Sequence, residues 1–245
     1  DQWGQPVANF HFDRVGPGTL IEISMTVDID LYKTRFFIVP EKTATLAAIP
    51  KEIKDLYLGD DTKYCIHDPL IQQTVQDVIG DETNCYWIAR KLFDHVIGKV
   101  DYELAGGWNI APKILERGNG SCSEFSFTMI ALCRAAGLPA RYVGSVVLRD
   151  DDAWTDKDIF HRWVEVYLPN YGWIPMDLAR GRTALKNPAK AATQIAYRPD
   201  VYLITSMGGG GSEFLQWNYT SMSTWKAKGP CKVETIRYGE WSPRK

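Results

Sequence analysis

Hydrophobic residues in the segment 118–143 recur at the spacing of one helix face. They are Phe125, Met129, Leu132, Cys133 and Ala136. Gly137 follows the last of them, and a proline comes two residues later, a combination that ends helices. At the other end, Ser121 and Glu124 have the spacing of a capping box. The pattern therefore predicts a helix that begins at Cys122.

Other parts of the chain show helical and strand periodicities in succession. Helices are predicted over residues 69–79, where Asp68 is a candidate N-cap, and over residues 85–97. Alternating hydrophobic and polar positions predict later strands over residues 141–148, 160–168, 173–176, 201–205, 214–219 and 233–238. Helices followed by strands are typical of an α+β fold.

The first residues of the chain alternate like strands as well. Residues 19–27 and 32–39 predict a hairpin, and two prolines then bracket a linker-like stretch. We therefore divide the chain into a β-rich N-terminal segment, residues 1–50, and a main domain, residues 51–245.

Composition is that of an ordinary globular protein. The 245 residues are 45% hydrophobic and 24% charged, with a formal net charge of −2. This near-neutral balance argues against bulk electrostatic binding to nucleic acid or to an anionic membrane. No apolar run approaches the ~18 residues of a membrane span. Many tryptophans and few cysteines favour an extracytoplasmic location, periplasmic or secreted.

The five cysteines leave at least one thiol unpaired if the others form disulfides. Cys122 would lie at the start of its helix, where free backbone N–H groups and the helix dipole favour a thiolate. The same N–H groups can hold an oxyanion. Cys133, on the apolar face, has the setting of an inert buried thiol. A small residue tolerated at a helix start is the other interpretation of Cys122, so a catalytic role requires a base.

His161 is the strongest candidate for that base. It begins a predicted strand, whereas His67 and His95 lie beside or within helices and His11 has no acidic pattern nearby. A turn after this strand returns the chain to Asp177. One hairpin thus brings a histidine and an aspartate to the same end, as base and orienting residue.

The register of this hairpin decides whether the two side chains meet. An even-length loop would put Asp177 opposite Val164, on the face away from His161. A five-residue loop over 168–172 puts Asp177 opposite Trp163, diagonal to the histidine and within its reach. We therefore predict an odd-length loop, or a bulge in the second strand.

Three blocks of sequence follow one another between residues 83 and 179. They are G-S-C-S-E-F, A-G-L-P-A-R-Y-V-G and H-R-W-V-E-V-Y-L-P-N-Y-G-W-I-P-M-D. Together they resemble the transglutaminase-like cysteine enzymes, which have a papain-like fold. The resemblance implies Cys122 as nucleophile, His161 as general base and acid, and Asp177 as orienting residue. It also implies a core in which the cysteine-bearing helix packs against an antiparallel sheet, within a catalytic domain over residues 51–245.

The implied reaction is acyl transfer from a protein or peptide amide through a thioacyl intermediate. We expect hydrolysis, as by a protease, amidase or deamidase. Transamidation that crosslinks protein glutamines is the alternative, and a non-catalytic peptide- or glycan-binding module is the rival class. Tyr102 and Trp108 are candidates for the oxyanion donor of the family, or are residues that pack the cleft. No cofactor or metal ion is implied.

Several further features are open to more than one interpretation. An acidic run precedes His161 and predicts a solvated loop, or else a lid that favours basic substrates or a cation: Asp150, Asp151, Asp152, Asp156 and Asp158. The glycines 208–211 predict a mobile hairpin loop beside the cleft. Zinc is not expected, because no fourth ligand accompanies Cys65, His67 and Cys85. A disulfide among Cys65, Cys85 and Cys231 is left open.

Overall fold

The helices and strands of the chain are taken from a computed structural model, which describes residues 1–104, 108–148, 153–155, 160–236 and 239–242. The helices are α1 (Lys51–Tyr57), α2 (Pro69–Ile79), α3 (Cys85–Lys99), α4 (Ala111–Arg117), α5 (Cys122–Ala135), α6 (Leu178–Thr183) and α7 (Pro188–Ala192). The strands are β1 (Thr34–Arg35), β2 (Asp101–Tyr102), β3 (Asn119–Gly120), β4 (Ala140–Val147), β5 (Ala153–Thr155), β6 (Phe160–Leu168), β7 (Gly172–Met176), β8 (Tyr197–Arg198), β9 (Tyr202–Gly208) and β10 (Gly239–Trp241).

The main sheet has four antiparallel strands in the order β7-β6-β4-β9. Strand β6 lies inside this sheet, paired with β4 on one edge and with β7 on the other. The bounds of β6 are those that the sequence predicts. Strand β4 begins and ends one residue earlier than predicted, and β7 begins one residue earlier. Smaller two-stranded pairings join β1 to β8, β5 to β10 and β2 to β3.

Helix α5 lies at the centre of the core and packs against β6 and β4. Every residue from Cys122 to Arg134 is buried, because helices α2, α3 and α4 also pack against α5. Its buried hydroxyls need partners, and Ser126 and Thr128 each donate to the carbonyl one turn earlier. This arrangement confirms the α+β fold with a cysteine-bearing helix on an antiparallel sheet.

The hairpin predicted near the N terminus does not form. Within residues 1–50 the only strand is Thr34–Arg35, which pairs with Tyr197–Arg198 and not with a neighbouring hairpin strand. Side chains in the predicted first strand, such as Leu20 and Met25, are exposed. A strand needs a hydrogen-bonded partner and a surface on which to bury its apolar face, and alternation along the sequence supplies neither. The domain boundary after residue 50 stays a prediction.

Two strands predicted near the C terminus are also wrong. Residues 214–219 form turns, and residues 233–236 have no regular secondary structure. The aromatic side chains of the first segment contact α5 in place of a strand ladder. Trp217 packs against Phe127, and the Tyr219 hydroxyl bonds to a serine of the helix. Tertiary contacts, not alternation, therefore set the backbone here.

The glycines 208–211 are closely packed, which contradicts the predicted mobile loop. A Cβ atom on Gly210 would lie 2.0 Å from the Asp61 carboxylate. The buried Arg134 guanidinium donates to the Gly209 carbonyl and also to the carbonyl of residue 140. The glycines thus permit a close approach of the backbone to charged side chains.

All five cysteines are free thiols, so the disulfide left open by the sequence does not form. Cys85 lies in the core, Cys65 is half-buried and Cys231 is exposed. No helix in the described ranges is both long enough and apolar enough to cross a membrane. Within the same ranges, His, Cys, Asp and Glu side chains do not gather in groups of three or more that could hold a metal ion.

Candidate active site

Cys122 occupies the first position of α5, as the sequence predicts. Ser121 is the N-cap, and its backbone N–H donates to the Glu124 carboxylate at 3.0 Å in a capping-box arrangement. The thiol therefore lies beside free backbone N–H groups at the positive end of the helix dipole. Only 6% of Cys122 is exposed, so solvent has little access to the sulfur.

The Glu124 carboxylate also joins the start of α5 to the segment before α4. Besides the capping bond, it accepts the Asn109 backbone N–H and the Arg117 guanidinium, each at 3.0 Å. Glu124 is only 1% exposed. A buried carboxylate with three donors fixes the groups that it joins.

His161 and Asp177 meet across the β6–β7 hairpin. His161 Nε2 and Asp177 Oδ2 are 2.7 Å apart. Val164 pairs with Met176 and Leu168 pairs with Gly172, so the loop has three residues. This confirms the predicted odd-length loop. Continuing the register puts Asp177 opposite the residue next to His161, on the face that the sequence predicts.

Two further bonds hold the Asp177 carboxylate in place. Its Oδ1 accepts the Arg180 backbone N–H at 3.1 Å, which makes Asp177 the N-cap of α6. The Tyr202 hydroxyl lies 3.4 Å from Oδ2, and its ring packs beside the His161 ring. The aspartate therefore has a fixed orientation from which it holds the imidazole.

The Cys122 thiol and the His161 imidazole influence each other's ionisation. Because Asp177 occupies Nε2, Nδ1 is the ring nitrogen left for the sulfur. Burial opposes ionisation of Cys122, but the neighbouring His161 holds the pKa of the thiol below its usual value. Burial also opposes protonation of His161, yet Asp177 and Cys122 raise its pKa to about 10. These opposite shifts favour a thiolate–imidazolium pair.

Cys133 has the opposite character on the same helix. It is fully buried, and burial raises the pKa of its thiol. No histidine contributes to this rise in the thiol pKa. One helix thus carries a thiol with a lowered pKa at its start and a thiol with a raised pKa three turns later.

The two candidates for an oxyanion donor lie in different surroundings. The Trp108 ring centroid is 6.0 Å from that of Tyr219, which contacts Cys122. Tyr102 stacks on Phe125 instead and is 44% exposed. Trp108 thus lies against a residue that contacts the sulfur, whereas Tyr102 lies against α5, three positions after Cys122.

Sequence reasoning missed Tyr219, Arg162 and Ser123. The Tyr219 hydroxyl lies 3.8 Å from Cys122 Sγ and 2.6 Å from Ser123 Oγ. The Arg162 guanidinium lies over the Tyr219 ring, with its central carbon 4.4 Å from the ring centroid. Tyr219 is 97 residues from the cysteine and belongs to none of the three sequence blocks, so no local pattern could have identified it.

The acidic run before His161 lies outside the described residues: Asp150, Asp151, Asp152, Asp156 and Asp158. Its interpretation as a solvated loop or a lid stays a prediction.

Relatives of known sequence match parts of this chain. YebA of Bacillus subtilis is 35% identical over 86 residues, which are 31% of this chain and 11% of YebA. A protein of Haemophilus influenzae is 26% identical over 134 residues, 46% of this chain and 36% of that protein. This chain thus spans well under two thirds of the length of either relative.

Solved structures also align with the chain. A candidate cysteine protease from Cytophaga hutchinsonii is 25% identical with a TM-score of 0.46, over 68% of this chain and 57% of that one. The periplasmic domain of TgpA from Pseudomonas aeruginosa is 17% identical with a TM-score of 0.44, over 60% of this chain and 53% of that one.

One family model covers the segment that holds the site. Residues 72–178 match the transglutaminase-like superfamily. This range contains the start of α5 and the whole β6–β7 hairpin, and so includes Cys122, His161 and Asp177. The segment that carries the candidate site, residues 72–178, is therefore similar to the transglutaminase-like superfamily.

Proposed function

We propose that this chain is a cysteine-dependent acyl-transfer enzyme that acts on protein or peptide amides, with hydrolysis as the main outcome. The observation that carries the proposal is the series Cys122–His161–Asp177, in which His161 Nε2 and Asp177 Oδ2 are 2.7 Å apart and His161 favours ionisation of the Cys122 thiol. In this series the thiol pKa is lowered and the imidazole pKa is raised. A nucleophile, its base and a residue that orients the base are the parts that acyl transfer requires.

The first half-reaction follows from the charges of the pair. The Cys122 thiolate donates an electron pair to the amide carbon, and the carbonyl π electrons move to oxygen to form an oxyanion. When this oxyanion collapses, the C–N bond breaks, and the His161 imidazolium gives its proton to the departing nitrogen. A thioacyl enzyme and a free amine or ammonia result.

The second half-reaction regenerates the thiolate. His161, now neutral, takes a proton from an incoming water as that water attacks the thioester carbon. Collapse of the second oxyanion expels the Cys122 thiolate, and the acid product leaves. An amine in place of water would give transamidation. We place hydrolysis first because the sequence resembles the compact hydrolytic members of the superfamily.

Incubation with β-casein, a glutamine-containing protein, followed by mass spectrometry, distinguishes the outcomes. A gain of about 1 Da per site indicates deamidation, chain cuts indicate a peptidase, and covalent dimers indicate crosslinking. We expect one of the first two products from the native chain, and none from Cys122→Ala. Cys231→Ala is the matched control, because it removes an exposed thiol and should leave activity unchanged.

Acetylation by p-nitrophenyl acetate tests the thioacyl step without a natural substrate. We expect a mass gain of about 42 Da on Cys122 that water then removes. Products that are equally abundant with Cys122→Ala, or acetylation of Cys122 no faster than of Cys133, would contradict the proposal.

The extracytoplasmic location is part of the same proposal and rests on composition. Fractionation of the source cells tests it, and recovery in the cytoplasmic fraction alone would contradict it.

A further inference from the structure

Tyr219 is the buried polar side chain that approaches the sulfur from outside the proposed triad. Its hydroxyl lies 3.8 Å from Cys122 Sγ and 2.6 Å from Ser123 Oγ. Burial, the largest cause, raises the pKa of the Tyr219 phenol, so the O–H stays protonated at neutral pH. A protonated phenol at this position can donate a hydrogen bond into the site.

The segment that carries Tyr219 is firmly anchored. Trp217 packs against Phe127 and Tyr64, with ring centroids 5.0 and 5.6 Å apart. The Trp217 carbonyl accepts a hydrogen bond from the Arg162 guanidinium at 2.6 Å. The Tyr219 ring also stacks on Phe160, with centroids 5.0 Å apart. These contacts hold the phenol in a fixed position beside Cys122.

Arg162 determines which way the hydroxyl hydrogens point. Its guanidinium is buried, and its Nη1 donates to Ser123 Oγ at 3.3 Å. A guanidinium has no acceptor, so Ser123 Oγ accepts this bond. The remaining partner of Ser123 among the described residues is Tyr219, and the arrangement in which every hydroxyl donor has an acceptor directs the Ser123 O–H to Tyr219. The phenol proton of Tyr219 is then free to point toward Cys122.

We propose that Tyr219 is a catalytic residue of this site, whose phenol O–H, oriented by Arg162 through Ser123, donates to the substrate oxyanion. The inference rests on the proposed acyl transfer. The oxyanion forms on the carbon bonded to Sγ, so it lies close to the sulfur. A donor stabilises the oxyanion when the two atoms are about 2.7–3.1 Å apart. A hydroxyl 3.8 Å from Sγ is close enough to reach an oxygen on the carbon bonded to that sulfur.

The proposed role of Tyr219 adds no bond-forming or bond-breaking step to the reaction. The phenol proton stays on Tyr219 while the thiolate forms the C–S bond and the carbonyl π electrons move to oxygen. The hydrogen bond strengthens as the oxygen becomes negative and weakens when the C=O bond reforms. Tyr219 would act together with the backbone N–H groups at the start of α5.

Two reagents distinguish an oxyanion donor from a residue that only stabilises the thiolate or shields the thiol from solvent. Acetylation by p-nitrophenyl acetate passes through an oxyanion, whereas alkylation by iodoacetamide displaces iodide directly and forms none. Both rates are measured on Cys122, by mass spectrometry of its peptide, in the native chain and in Tyr219→Phe. Tyr64→Phe is the matched control, because its buried hydroxyl has no hydrogen-bond partner among the described residues.

We expect Tyr219→Phe to slow acetylation at least tenfold, since loss of one oxyanion donor costs roughly 10²-fold or more in an enzyme reaction. Alkylation should stay within about twofold of the native rate, and Tyr64→Phe should change neither rate. Unchanged acetylation would overturn the inference. So would a parallel fall in both rates, which would indicate thiolate stabilisation, or a parallel rise, which would indicate a cover.

Ser123→Ala provides an independent test that leaves the phenol in place. It removes the link from Arg162 to Tyr219, so we expect a smaller fall in acetylation and, again, little change in alkylation. Equal acetylation of Ser123→Ala and the native chain would contradict the orienting link. If Cys122 of the native chain reacts with neither reagent faster than Cys133, the proposed function itself fails, before any variant is compared.

Discussion

His161 Nε2 and Asp177 Oδ2 are 2.7 Å apart, although His161 lies in β6, Asp177 follows β7, and the two residues are sixteen positions apart in the chain. The same aspartate caps α6 through its other oxygen. One carboxylate therefore fixes both the start of a helix and the orientation of the imidazole. Removing its charge should separate these two roles.

Asp177→Asn should keep the helix cap but lose the charge that stabilises the imidazolium, because Asn is as good an N-cap as Asp. We expect the rate of acyl transfer to fall by roughly 10²–10⁴-fold. The pKa of His161 should also fall, since Asp177 is the main group that raises it. The pH dependence of acetylation measures both effects.

Asp68→Asn is the matched control for that variant. Asp68 caps α2 through its side chain and does not contact the site. Both variants should therefore keep their helix caps, while only Asp177→Asn loses activity. Equal activity of the two variants would rule out the orienting role of Asp177.

The pH dependence of Cys122 alkylation should differ from that of an ordinary thiol. Below the lowered pKa of Cys122 the sulfur is protonated, and above the His161 pKa of about 10 the imidazolium is lost. Between these limits the thiolate–imidazolium pair persists, so the rate should be nearly constant across neutral pH. A free cysteine, with a pKa of about 8.5, instead reacts about tenfold faster per pH unit below that value. Such a tenfold slope between pH 6 and 8 would contradict the ion pair.

Cys122 and Cys133 should differ in reactivity within one native protein. Tryptic cleavage leaves both on one peptide, residues 118–134, so fragment masses compare them directly. We expect iodoacetamide to modify Cys122 far faster, because burial raises the pKa of Cys133 while His161 lowers that of Cys122. His161→Ala should abolish the difference. His67→Ala, at an exposed position, should preserve it.

The parts of the site that sequence could predict are those set by local geometry. The capping residues of α5 lie three positions apart, and the periodicity of its apolar face needs no knowledge of the partner. The hairpin register is also predictable, because it depends on a single loop length. The requirement that His161 meet Asp177 makes this length odd. Helix start and hairpin could therefore be predicted residue by residue.

The parts that sequence could not predict depend on distant partners. Alternation at residues 19–27 is as regular as in β6, yet only β6 has neighbouring strands on both sides. Tyr219 reaches Cys122 because Trp217 and Arg162 anchor its segment, and these contacts join residues far apart in the chain. Periodicity predicts which residues are buried, but it does not identify the residues that pack against them.

Glu124→Ala should destabilise the fold strongly. The substitution leaves the backbone N–H groups of Asn109 and Ser121 without their acceptor, and Arg117 without its ion pair. Buried donors left unpaired cost about 1–3 kcal/mol each, so for these two N–H groups we expect a loss of about 2–6 kcal/mol in the free energy of unfolding. Urea denaturation measures it. Glu116→Ala, an exposed glutamate of α4, should change the same quantity by less than about 0.5 kcal/mol.

Substitution by alanine should lower the free energy of unfolding at Gly144 and raise it at Gly98. A Cβ on Gly144 would lie 2.3 Å from Ser206 Oγ and 3.0 Å from the Tyr219 ring. Gly144→Ala must therefore displace its neighbours, and we expect a loss of about 1–3 kcal/mol in unfolding free energy. Because the Tyr219 ring is one of those neighbours, acetylation of Cys122 should slow as well.

Gly98 instead lies on the exposed side of α3, with no atom within 4 Å of a Cβ built there. Gly98→Ala should raise the unfolding free energy by about 0.5–1 kcal/mol, since alanine favours the helix and fills open space. It should leave acetylation of Cys122 unchanged. If both variants shifted the urea midpoint equally, crowding against Ser206 and Tyr219 could not be the reason that β4 carries a glycine at position 144.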